Sequence, residues 1–261
     1  SLSGLKNAQT ELNTVAHNIA NSETAGFKKS RVDFADIVAT SAYAKNSTGI
    51  GSTVETTTQN FTIGPIEQTG SALDLAITGD GFFEIKTPVS GETMYTRNGA
   101  FTIDQDGFIS DASGNQLQFF APGADPATAV PGATAIPATN GAGAAFAGIT
   151  VAVNGAIKAS YADGSNVDIG TVALATFPST SGLKQVGSSN WEATGLSGTA
   201  KYGQPDNGAY GGLLAGALER SNVDIAEELV SLITAQRYFQ ANAKAIDTAT
   251  QITQTVINLR T

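Results

Sequence analysis

Residues 221–261 read SNVDIAEELVSLITAQRYFQANAKAIDTATQITQTVINLRT. Leu229, Leu232, Gln236, Phe239, Ala243, Ile246, Thr250, Thr253 and Ile257 recur at alternating spacings of three and four, which puts them on one face of an α-helix. Ile233, Ile252, Val256 and Leu259 widen that stripe. Neither glycine nor proline interrupts residues 224–261, and Asp224 followed by Glu227 has the spacing of a capping box, in which each side chain satisfies a backbone N–H at the helix start. A helix of about 35 residues extends about 50 Å at 1.5 Å per residue. Such a helix needs a partner for its stripe.

The other end of the chain supplies one. Leu5, Ala8, Leu12, Val15 and Ile19 follow the same spacing and predict an amphipathic helix of about 20 residues. Asn21-Ser22 is its expected end, because asparagine tolerates the left-handed cap conformation. The longer stripe, paired with this shorter helix, leaves several turns uncovered and implies contacts with further copies of the chain. The alternative is an intramolecular hairpin that closes a monomer. The expected assembly interface is Leu5, Leu12, Val15, Ile19, Leu229, Leu232, Ile233, Phe239, Ile246, Ile252, Val256 and Leu259.

Between the helices the hydrophobic period changes to two. Leu73, Leu75 and Ile77 alternate with small or polar residues, and similar runs follow at 82–85, 95–103, 149–153, 156–161 and 167–177. Asn-Gly at 98, 140, 154 and 207 and Asp-Gly at 80, 106 and 163 suit tight hairpin turns. The expectation is an α+β fold, a mainly β body with long terminal α-helices forming a discontinuous coiled-coil domain. Residues 1–24 and 225–261 would make the helical domain, 25–68 and 208–224 an extended connector, and 69–207 the β-rich body. Within the body, residues 121–148 are almost wholly Ala, Gly, Pro and Thr and read as a loop.

Composition narrows the function. The chain has 261 residues, no cysteine, one histidine and a net charge of −9. Disulfides, zinc-thiolate sites and cysteine nucleophiles are excluded, as are multi-histidine metal clusters. No cofactor or enzyme activity is expected. Residues 1–45 hold five basic and four acidic residues, residues 220–261 four of each, and the segment between them five basic and fifteen acidic. Nearly neutral ends suit packing among identical copies, and an acidic middle suits solvent but disfavours nucleic acid. The first twenty residues carry no basic and apolar signal pattern, and no run is long enough to span a bilayer, so a soluble chain, or one exported without a cleaved signal peptide, is expected.

The remaining motifs read as structural. Asp104-Gln105-Asp106-Gly107 lacks the third acid and distant glutamate of a calcium loop and reads as a hairpin turn. Gly141-Ala142-Gly143 lacks a Walker lysine. His17 has no triad partners at any recognisable spacing. Trp191 reads as a core anchor, with a glycan or matrix platform on a binding module as the competing function. Asn46-Ser47-Thr48 and Asn60-Phe61-Thr62 fit the glycosylation sequon.

Several ordered segments resemble the bacterial flagellar rod and hook proteins. These are the run from Asn18 through Asn21, Gly26 and Phe27 to Lys28; Leu73–Ile77 with Gly81-Phe82-Phe83; Tyr95–Phe101; and Gly216–Asp224 with the helix that follows. The resemblance implies a structural subunit, exported unfolded by a type III apparatus and polymerised into a hollow helical tube. Its implied partners are itself, the rod, hook-cap and hook–filament junction proteins, and the export apparatus, with no membrane insertion. Within the family, Val256–Arg260 and Asn190-Trp191-Glu192-Ala193-Thr194 favour the extracellular hook, a universal joint for motor torque. The absence of a large central insertion favours the alternative, a distal rod in the periplasm.

Overall fold

The computed structural model describes residues 2–38, 49–126 and 128–258. Leu259 and the sequon at residues 46–48 lie outside them. The chain forms two compact units, one of Ser1–Ser22, Lys28–Asn60 and Val223–Thr261, the other of Glu23–Phe27 and Phe61–Asn222. The segments expected as a connector are thus shared between the two.

The first unit is built on two helices and a hairpin. Helix α1 (Leu2–Ala20) closes where its last carbonyls find side-chain donors, Asn21 Nδ2 to His17 O at 2.9 Å and Ser22 Oγ to Ile19 O at 2.9 Å. Helix α2 (Ile225–Asn258) starts at Asp224, whose Oδ1 accepts the N–H groups of Ala226 at 2.8 Å and Glu227 at 3.2 Å. Glu227 does not complete a reciprocal box. Its carboxylate is drawn 3.2 Å from the Lys29 ammonium instead. Strands β1 (Ser30–Val38) and β2 (Gly49–Gln59) pair antiparallel from Ser30 opposite Gln59 to Val38 opposite Gly49. Most of the described part of residues 25–68, expected as an extended connector, is therefore paired in this hairpin. Asn7 Nδ2 donates to Ser52 Oγ at 2.8 Å, which ties α1 to β2.

The second unit is built of strands, with a short 3₁₀ helix at Thr180–Gly182. A nine-stranded sheet is centred on the strand Phe82–Lys86, and a separate antiparallel four-stranded sheet includes Phe146–Val151, Ala156–Tyr161 and Asn166–Val172. The strand run expected at 95–103 is broken, with Thr93–Thr96 and Thr102–Ile103 as separate strands. Leu75, Ile77, Phe83, Ile85, Leu117, Phe119, Ile157 and Leu174 lie together in one core. A second cluster joins Phe82, Tyr95, Ala175 and Trp191, with Phe61 and Phe177 packed edge-on against its rings. Trp191 is fully buried there, so its side chain presents no platform to a ligand.

Turn chemistry recurs in this unit. Asp104, Asp111 and Asn140 each accept the backbone N–H groups two and four residues on through Oδ1, and the glycine three residues on (107, 114, 143) takes a positive φ of 80–85°. At Asp104 the carboxylate that a cation would need is spent on the turn. The Ala/Gly/Pro-rich segment is also anchored. Ile136 is buried in the core with its N–H on Gly107 O at 2.8 Å, and residues 146–148 already belong to a strand.

Candidate assembly surface

Helix α1 packs antiparallel along α2. Asn18 meets Glu228, and a Cβ on Gly4 would lie 2.6 Å from Asn242 Oδ1. On α1 the most buried residues are Ala8, Val15 and Asn18, while Leu5, Leu12 and Ile19 are half-buried. On α2 the buried or half-buried line runs through Glu228, Leu232, Ala235, Phe239, Asn242 and Ile246, again at spacings of four and three. This line is rotated from the expected stripe. Leu232, Phe239 and Ile246 belong to it, whereas Leu229 (46% exposed) and Ile233 (51%) face away, and Ile252 (60%) and Val256 (59%) lie past the buried part of the line and are exposed.

Glu228, Ala235 and Asn242 are the seam residues that a reading of apolar side chains misses. Two are polar, and alanine carries little hydrophobic signal. Their four-and-three spacing is nevertheless visible once polar residues are admitted to the seam.

The seam holds one polar cluster. Asn18 Oδ1 accepts the Ser30 N–H at 2.9 Å, and its Nδ2 donates to Ser30 O at 2.8 Å and to Glu228 Oε2 at 3.1 Å. Lys29 Nζ completes it, 2.8 Å from Glu228 Oε1. Burial alone would lower the Lys29 ammonium, but Glu228 and Glu227 outweigh it and hold the group above its ordinary value. Nearby, burial raises the Glu11 carboxyl. A cavity of about 190 Å³ lies beside the cluster, between Glu11, Asn18, Lys29 and Glu228.

Past Ile246 every described residue of α2 is exposed, and Ala249, Thr253 and Val256 continue the seam line. With Leu229, Val230, Ile233, Ile252 and Ile257, this leaves an apolar surface on a helix that water solvates poorly. Phe34, Ile37, Val38 and Ile50 add exposed apolar groups on the hairpin. His17 is exposed. No group of three or more acidic or histidine side chains among the described residues is arranged to hold a metal ion, and no described helix is long and apolar enough to cross a membrane.

The other motif residues serve the fold of the second unit. Gly26 has φ +68° and donates its N–H to Glu219 O at 2.8 Å, and Phe27 is buried. Arg97 and Glu219, from two motif stretches far apart in sequence, form a buried ion pair at 3.3 Å. Glu219 Oε1 also accepts the Gly64 N–H at 2.9 Å, and Arg97 Nη2 donates to Gly79 O at 2.9 Å. Burial lowers the Arg97 guanidinium from its ordinary value, while Glu219 and Asp80 pull the other way. A cleft of about 470 Å³ opens beside this pair, walled by Phe61, Phe82 and Phe177.

Comparison with known proteins covers nearly the whole chain. Residues 1–28 match the family described as flagella basal body rod protein, residues 76–159 the D1 domain of the flagellar hook protein FlgE/F/G, and residues 214–259 the C-terminal region of the flagellar basal body rod FlgEFG proteins. The flagellar basal-body rod protein FlgG of Bacillus subtilis is 34% identical over 272 aligned positions, covering 99% of this chain and 97% of the relative. The protein of the same name from Caulobacter vibrioides is 34% identical over 280, with 99% and 97% covered. The flagellar hook protein FlgE of Salmonella typhimurium is 26% identical over 403, with 99% and 98% covered.

Proposed function

We propose, for a chain that belongs to the flagellar basal-body rod and hook protein family, that it is a structural subunit of the distal-rod kind, polymerising through its terminal helices into a hollow drive shaft. The observation that carries polymerisation is the exposed apolar surface of α2, which extends beyond the described length of α1. Contacts between different patches of identical subunits generate a helix of subunits, and a helix closed around an axis is a tube. In this reading residues 1–24 and 225–261 form the inner coiled coil, and the acidic β body of 69–207 belongs to the solvated wall.

Length supports rod over hook. Relatives named as rod proteins align with this chain nearly residue for residue, whereas the hook relative needs 403 aligned positions to accommodate 261 residues. The segment around Trp191 that favours the hook in sequence is occupied with packing the body. Rod neighbours along the axis, a cap during growth and the type III exporter are the partners of this role.

Deletion of the coding sequence, followed by electron microscopy of isolated basal bodies, separates the two readings. A distal-rod subunit leaves particles with a truncated rod and no hook. Particles with a complete rod that lack only the curved hook would overturn the proposal.

A further inference from the structure

The apolar part of the helix seam is poor at choosing which turn of α1 faces which turn of α2. Ala8 and Val15 are seven residues apart, and so are Leu232, Phe239 and Ile246. Sliding one helix past the other by seven residues therefore exchanges apolar neighbours for apolar neighbours. The polar groups do not repeat in this way. Asn18 lies against Glu228 and Gly4 against Asn242, both fourteen residues apart on their helices, which defines a single antiparallel register. A seven-residue slide sets Asn18 opposite Ala235, removes the carboxylate from its amide, and takes Glu228 away from its amide donor.

We propose that Asn18 and Glu228, with Lys29, select the register of the two helices. They act as positioning residues. The Asn18 amide is matched on every side by groups from three segments: both backbone groups of Ser30 at the start of β1, and the Glu228 carboxylate on α2. Glu228 is itself matched by Lys29, the residue next to Ser30. The cluster thus fixes α1 to α2 and to the root of the hairpin at one point. A slipped register strands one of the two: if the hairpin root follows α1, Glu228 loses both Asn18 and Lys29, and if it stays with α2, Asn18 loses both Glu228 and Ser30, which disfavours the slide even though the apolar contacts survive. Subunits that share one register present the same α2 surface to their neighbours, which a regular polymer requires. The proposal concerns the fold of one chain and does not depend on whether that polymer is rod or hook.

Because the chain has no cysteine, introduced pairs report register directly. Gly4→Cys with Asn242→Cys marks the native register, and Gly4→Cys with Ala249→Cys marks the seven-residue slide. Each pair is placed in the full chain, oxidised, and the linked peptides are measured by mass spectrometry. The expected result is native linkage alone, both in the parent and with Glu228→Gln paired with Lys29→Met, in which Gln still accepts from Asn18 and no ammonium faces its Nε2 group. In the Asn18→Leu, Glu228→Leu, Lys29→Met variant the ratio of native to slid linkage should fall at least about fivefold, the least that an unpaired buried polar group implies. Native linkage as clean in that variant as in the parent would assign register to the apolar seam and overturn the proposal. Loss of both links together with the helical circular dichroism would also overturn it, by making the cluster a requirement for helix docking rather than a selector among registers.

Discussion

Replacing Glu219 by alanine tests how the motif residues hold the body together. In the folded chain the Arg97 side chain is 3% exposed and that of Glu219 is fully buried, so Glu219→Ala leaves a guanidinium in the interior without its ion-pair partner, with Gly79 O, the Phe82 ring and the weaker pull of Asp80 still acting on it. Removing one partner of a buried pair costs about 3–5 kcal/mol, because the surviving charge is uncompensated. The Gly64 N–H also loses its acceptor, which places the expected loss near the upper half of that range. With a urea slope of about 2 kcal/mol/M, the midpoint should move down by about 2 M. Trp191 is the single tryptophan and is fully buried in the same unit, so its fluorescence reports the transition without a label. A second variant separates charge from packing. Arg97→Met with Glu219→Gln removes both charges while Gln still accepts from Gly64, and it should recover at least about half of the loss. A midpoint shift below about 0.5 M for Glu219→Ala, or a double variant no more stable than the single one, would refute this reasoning.

Two further perturbations address the body. Glu84 is buried, with Oε2 unpartnered among the described residues and the hydroxyl of Tyr202 at 3.5 Å from Oε1, and burial pushes its carboxyl from 4.5 up to about 7 against the opposing effects of Lys86 and Tyr202. Between those values the folded chain keeps a proton that the unfolded chain has released, so stability should fall by about 3 kcal/mol as pH rises from 4.5 to 7 and then level off. Glu84→Gln should flatten urea midpoints measured between pH 5 and 8; an equally steep profile in that variant would place the titration elsewhere. Gly26→Ala should cost at least about 2 kcal/mol, since φ is +68° and the added Cβ would meet only backbone, nearly on top of Asn98 N. A thermal midpoint unchanged by Gly26→Ala would show that the turn relaxes freely.

The two helices and the alternating body are legible in sequence because period is local information: each residue's face follows from its own spacing. The direction of a seam is not local. Reading apolar residues alone puts Leu229 and Ile233 inside, yet the structure rotates α2 so that Glu228 and Asn242 face α1, since Asn18 and Lys29 make a polar seam residue affordable. The same reasoning accounts for Glu227, whose spacing from Asp224 resembles a capping box but whose carboxylate an ammonium from another segment draws away. Serine- and threonine-rich residues near 49–59 carry little hydrophobic alternation, so their pairing with β1 leaves a weak trace. Asp104, Asp111 and Asn140 show the opposite case. Their side chains act within four residues, and the spacing of Asp or Asn to Gly already spells the turn.

The central claim is that the exposed apolar surface of α2 drives self-assembly while the body folds without it. The most direct measurement is electron microscopy of the full chain, seeded with isolated flagellar fragments, beside the variant Ile252→Glu, Val256→Glu. Both positions are exposed, and glutamate is a good helix former, so the variant should keep its helical circular dichroism and its buried Trp191 emission. The account predicts tubes from the parent chain and none from the variant. Tubes of equal number and length from both would contradict it.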